Sequence, residues 1–162
     1  MTSKPIEHVK DLMQHFDSVM MITHSLNGKL HARPMHIAEI SPQGILRFAT
    51  SLVSPKIKEI SADDQINLLF QKSSRFLSLE GTAKIEKNSK LIDQLWSETW
   101  RVWFPEGKDD PNIGIISVVP KHAEFWDSSG ARGIAYVFEA AKAYVQGKQP
   151  GEDPKLHGKV SM

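Results

Sequence analysis

Three hydroxyls and an ammonium fall within one seven-residue stretch: Thr50, Ser51, Ser54 and Lys56, in the run Phe48-Ala49-Thr50-Ser51-Leu52-Val53-Ser54-Pro55-Lys56. An apolar strand ends in the first two hydroxyls. Ser54-Pro55-Lys56 then reads as a helix start, with Ser54 suited to the N-cap and Pro55 to the first helical position. A helix start carries unpaired N–H groups and the positive end of the helix dipole. With the hydroxyls and the lysine, these groups suit a phosphate. A capped strand-to-helix connection that binds nothing would also use Ser-Pro. The anion reading therefore rests on Thr50, Ser51 and Lys56 occurring together.

Arg33-Pro34-Met35 is the second candidate. Pro34 lacks a backbone donor and predicts an edge strand or a bulge. Arg33, Met35 and His31 share one strand face by parity. An arginine beside a phosphate site would add bidentate capacity, though the same spacing fits a solvated surface arginine.

Other chemistries lose support. Seven histidines and no cysteine are present, without a His-Glu-x-x-His spacing, so no metal site is expected. Glycine-rich phosphate loops and Gly-x-Ser-x-Gly are missing, which disfavours nucleotide-triphosphate, Rossmann and serine-hydrolase sites. Trp96, Trp100, Trp103 and Phe104 read first as a core-facing stripe and second as a stacking surface. Acidic neighbours there argue against nucleic acid.

The elements that must position these residues follow from periodicity. Residues 4–16 give an amphipathic helix. Strands are expected at 19–24, 30–40, 45–50, 65–71, 76–86, 113–119 and 122–126, with an Asn27-Gly28 hairpin turn. Further helices are expected at about 55–62, 89–104 and 134–145. Residues 147–162 carry little apolar content and read as a mobile tail. Many short strands with few helices predict a small antiparallel barrel with helical caps.

The chain has 162 residues, 40% hydrophobic, with a formal net charge of +1. That suits one soluble domain and offers no strong field toward nucleic acid or membrane. No apolar run approaches the roughly 18 residues of a membrane span, and the expected location is the cytoplasm.

An ordered series of motifs completes the reading. It runs Arg33-Pro34-Met35, Phe48-Ala49-Thr50-Ser51, Ser54-Pro55-Lys56, Leu79-Glu80-Gly81-Thr82-Ala83 and Leu95-Trp96. Trp103-Phe104-Pro105, Asp109-Asp110-Pro111 and Glu124-Phe125-Trp126-Asp127-Ser128 close it. Over about residues 5–147 the chain resembles the flavin-binding split-barrel proteins related to pyridoxamine 5′-phosphate oxidase, in the general stress protein 26 branch. The resemblance implies a mainly β fold with peripheral helices: a six- to seven-stranded antiparallel split β-barrel of FMN-binding type over residues 1–147, with residues 148–162 as a flexible tail. It also implies a homodimer with FMN at the interface. Arg33, Thr50, Ser51, Ser54 and Lys56 would hold the phosphate and ribityl chain, and Pro34, Met35 and His36 would follow the isoalloxazine edge. Trp126 would approach the flavin from the partner chain.

Three departures limit the resemblance. Pro55 stands where the oxidases carry a second basic residue, and Phe76 where they carry a glutamine. After Trp126 the Arg-Leu-His-x-Arg signature that grips pyridoxal phosphate is missing. The expected function is thus an FMN-binding, general-stress-type protein acting as an oxidoreductase on a small substrate, with no acid or base nominated. The alternatives are a non-catalytic flavin-binding or redox-sensing protein and, further off, a pyridoxamine phosphate oxidase or a barrel holding haem or deazaflavin.

Overall fold

Alternating burial along residues 18–24, 46–51, 65–71 and 76–84 builds much of the central sheet of this protein. The computed structural model describes residues 3–151 and 153–162. After helix α1 (Ser3–Met13), strands β1 (Ser18–His24) and β2 (Leu30–His36) form a hairpin. Its loop is Leu26-Asn27-Gly28, where Gly28 takes φ +80° and Ser25 pairs with Lys29. A left-handed glycine of this kind suits a three-residue hairpin loop. Next come β3 (Glu39–Ile40), β4 (Leu46–Ser51), helix α2 (Pro55–Ala62), β5 (Gln65–Lys72) and β6 (Arg75–Glu86). Helix α3 (Ser89–Leu95) leads into two 3₁₀ segments, Glu98–Val102 and Gly107–Asp109. The chain ends with β7 (Ile113–Asp127), helix α4 (Gly130–Val145) and β8 (His157–Ser161).

Seven strands run antiparallel in the order β2-β1-β5-β6-β7-β4-β3, and β8 adds to β7. β7 is long enough to serve two partners along one edge. Its first half pairs with β4 and its second half with β8. The order begins at β2 and ends at β3, which do not pair, so the curled sheet stays open, as a split barrel does. Pro34 lies on β2, an end strand of that order, as its missing donor requires.

The concave side is filled by Met21, Phe48, Leu68, Phe70, Leu77, Leu79 and Ile116, closed by Val9, Leu12 and Met13 of α1. Each such side chain contributes roughly 1.5–3 kcal/mol on burial. A second cluster, Ile92, Trp100, Phe104, Ile113 and Ile115, packs beside it.

Four expectations change. Residues 113–119 and 122–126 are one strand, because a bulge between Glu80 and Gly81 absorbs Pro120 and leaves Lys121 unpaired with β6. The expected 30–40 strand breaks into β2 and β3. The 89–104 helix stops at Leu95. Trp96 is extended there, its Nε1 donates to Glu98 Oε1 at 3.0 Å, and Ser97 bonds Thr99, so local side-chain bonds replace the helical ladder. Finally, residues 157–161 of the expected flexible tail form β8. Leu156 and Val160 are buried, and their apolar contacts with the sheet outweigh the polar composition around them.

Candidate functional site

A cavity of about 630 Å³ opens between β2, β4, the start of α2 and the Glu98–Val102 segment. Pro34, Met35 and His36 form one wall at the end of β2. Thr50, Ser51, Ser54 and Lys56 form the opposite corner. Thr99, Trp100, Trp103 and Phe104 supply a third, largely aromatic side, with Ala38 and Ala49 at the floor. Trp100 and Phe104 are buried, whereas Trp103 is 70% exposed at the rim.

Local sequence sets the polar corner. Thr50 is buried opposite Gly114 of β7. A Cβ at Gly114 would come within 2.4 Å of Leu52 Cδ2, so a larger residue there would require the Leu52 side chain to shift. Ser54 occupies the N-cap position of α2 and Pro55 opens the helix, as expected. The Ser54 side chain makes no cap bond, however. It accepts from Lys56 Nζ at 2.7 Å, and Thr50 Oγ1 lies 3.3 Å from the same nitrogen. Among the described residues Lys56 has no salt-bridge partner. Burial, then the nearby Arg33 charge, holds its pKa below the ordinary 10.5, with Glu59 acting weakly the other way. This is a cation held partly out of water, among hydroxyls, with no carboxylate at salt-bridge distance among the described residues. Such an arrangement fits a phosphate group, which would supply both the charge and the acceptors.

Seven of the nine expected site residues line this one cavity. Arg33 is not among them. Its Nη1 donates to Thr23 Oγ1 at 2.5 Å and its Nη2 to Glu59 Oε2 at 2.8 Å. Trp126 is also elsewhere, half-exposed and stacked on His157 with centroids 5.2 Å apart. Sequence reasoning missed Thr99 and Glu59. Thr99 carried no signal. Glu59 did: it stands beside apolar Ile60 on the inward side of α2, one turn after Lys56.

A smaller hollow of about 350 Å³ lies between β6, β7 and β8, lined by Glu80, His122, Glu124 and Lys159 among others. There Glu124 accepts from His157 Nε2 at 2.8 Å, with Lys159 Nζ at 3.8 Å. No cluster of three or more metal-ligating side chains occurs among the described residues.

An open antiparallel sheet of this strand order defines the class: a split barrel. A family model described as "pyridoxamine 5′-phosphate oxidase like" matches residues 4–151, and the chain belongs to that family. The general stress protein 26 of Bacillus subtilis (strain 168) is 28% identical over 121 residues, covering 71% of this chain and 83% of that protein. The crystal structure of a putative general stress protein 26 from Jannaschia sp. CCS1 has the same fold, with a TM-score of 0.75, 21% identity and 99% of each chain covered. A general stress FMN/FAD binding protein from Xanthomonas citri aligns with a TM-score of 0.66 and 24% identity, over 77% of this chain and 89% of that one.

Proposed function

We propose that this cavity binds FMN and that the protein is a general-stress-type oxidoreductase acting on a small substrate. One observation carries the reading: the unpaired Lys56 ammonium set among Thr50, Ser51 and Ser54, at the end of an aromatic-walled slot. In this reading Lys56, the three hydroxyls and the start of α2 hold the phosphate. Pro34, Met35 and His36 follow the ring edge, and Trp100, Trp103 and Phe104 exclude water from its face. When bound, a flavin supplies the redox chemistry, and the chain's task is to anchor and orient it. The Xanthomonas citri neighbour, described as binding FMN or FAD, supports a flavin in this fold.

The proposed assembly is a homodimer with the cofactor at its interface. Met20, Leu69, Phe76 and Trp126 share one outward sheet face across β1, β5, β6 and β7, each about 40% exposed. A second copy on that face would cover it and bring Trp126 to the partner's flavin. No helix among the described residues is long and apolar enough to cross a membrane. The proposed location is the cytoplasm.

A second reading, a flavin binder or redox sensor without turnover, is favoured by the cavity lining, which holds no carboxylate among the described residues. Visible spectroscopy decides between them. Purified protein titrated with FMN should show a bound-flavin spectrum. Bleaching by a nicotinamide reductant and recovery in air support the oxidoreductase. A bound flavin that is not turned over supports the binder, and failure to bind FMN at micromolar concentrations overturns both.

A further inference from the structure

The most deeply buried charge near the cavity is one that no ligand role absorbs. Glu59 is 5% exposed, on α2 one turn beyond Lys56. Its two oxygens are fully engaged by neighbouring strands. Oε2 accepts from Thr23 Oγ1 of β1 at 2.6 Å and from Arg33 Nη2 of β2 at 2.8 Å. Oε1 lies 2.6 Å from His31 Nδ1, also of β2, and an ionised carboxylate can only accept there. Arg33 closes the ring through its bond to Thr23, which is itself fully buried.

We propose that Glu59 is a positioning residue: a buried staple that fixes Arg33 and holds the β2 wall of the cavity against the α2 wall. The inference rests on the reading of the cavity as a flavin site and assigns a division of labour within it. Pro34, Met35 and His36 directly follow Arg33 in β2, and Lys56 stands one turn before Glu59 in α2. The staple therefore sets the spacing between the ring-edge wall and the phosphate corner. Arg33 directs one N–H from each terminal nitrogen at Thr23 and Glu59, and in this assignment it serves the cavity by holding β2 in place. Lys56 alone supplies the phosphate charge. A buried carboxylate left without its arginine, or the reverse, is costly, so the two should act as a unit.

The test compares Glu59→Gln, Arg33→Met and the double variant Arg33→Met/Glu59→Met, with Lys56→Ala as the reference for a phosphate ligand. The double variant removes both buried charges and keeps the test open if a single variant folds poorly. Affinities for FMN and riboflavin are measured together with native-state amide exchange of residues 30–36 and 55–62 in ligand-free protein. The staple predicts that each single variant speeds exchange in both segments and weakens both flavins by the same factor, about tenfold or more. The preference for FMN over riboflavin is then retained, and the double variant binds no worse than the poorer single one. Lys56→Ala, in contrast, should erase the preference. An Arg33→Met variant that loses the preference while keeping riboflavin affinity would overturn the proposal by making Arg33 a phosphate ligand. Unchanged exchange and affinity in Glu59→Gln would overturn it as well. If the wild-type protein binds neither flavin, the cofactor reading fails, and the exchange data still decide whether the staple exists.

Discussion

The two hollows in this sheet settle their charges in opposite ways. In the groove between β6, β7 and β8, Glu124 is met by His157 and Lys159 within the same patch. In the larger cavity, Lys56 meets only hydroxyls, and the nearest buried carboxylate, Glu59, is already committed to Arg33 and His31. Both places are polar, and both carry lysine. In the groove the Glu124 charge is met within the chain, whereas the lysine of the cavity is not met by a carboxylate.

The sharpest way to break this comparison is Lys56→Ala. FMN should weaken by about 1.5–3 kcal/mol, the range for hydrogen bonds to charged groups, and riboflavin should change little. Equal losses for the two ligands, measured by fluorescence titration, would remove the phosphate assignment. Trp103→Ala comes next, since Trp103 lines the cavity yet is largely exposed. Both flavins should weaken by about 0.5–1.5 kcal/mol, with the melting temperature nearly unchanged. A drop in melting temperature without loss of affinity would make Trp103 a packing residue.

The ligand-free protein gives a third prediction, with a pH signature. Lys56 has a folded pKa below its ordinary 10.5, so the unfolded chain binds the proton more tightly. The destabilisation is present in full below the folded pKa and is relieved as pH rises from there toward 10.5. Ligand-free wild type should therefore gain stability relative to Lys56→Met across that window. At pH 7 Lys56→Met should be the more stable of the two by up to about 1 kcal/mol. Urea titrations at several pH values check both signs. The smallest effect is expected in the groove. Glu124→Gln should cost at most about 1 kcal/mol, because its partner His157 is half-exposed and Lys159 largely exposed, and flavin affinity should not move. A flavin effect from Glu124 would dissolve the contrast between the two hollows.

Much of this was legible in the sequence, for reasons that particular residues show. The strand over 76–86 announces itself by period-two alternation, and its observed burial follows it. The Thr50-to-Lys56 corner was legible because the ligand groups are contiguous, so local chain geometry delivers them together. Trp96 and Ser97 hid their break because side-chain bonds to Glu98 and Thr99 redirect the backbone, an effect that helical periodicity does not encode. β8 hid for a related reason. Five residues with two buried apolar anchors nearby give little signal until β7 offers an edge to pair with. Arg33 was visible as a polar residue in the right strand, but its orientation depends on Glu59, 26 positions away. Long-range pairs of that kind are the part of a site that spacing does not reveal.

The return of β8 onto β7 has a consequence for how this chain can vary. The Asp127 amide donates to the Leu156 carbonyl at 2.7 Å, so the stretch between them leaves the sheet and comes back at one point. Within it lies α4, whose Ile134, Val137 and Phe138 are well exposed. A closed excursion of this kind can be shortened, lengthened or exchanged with little entropic penalty and without shifting the strands at its base. It gives the fold a natural graft point, where relatives could diverge in what they dock against while inheriting the same barrel unchanged.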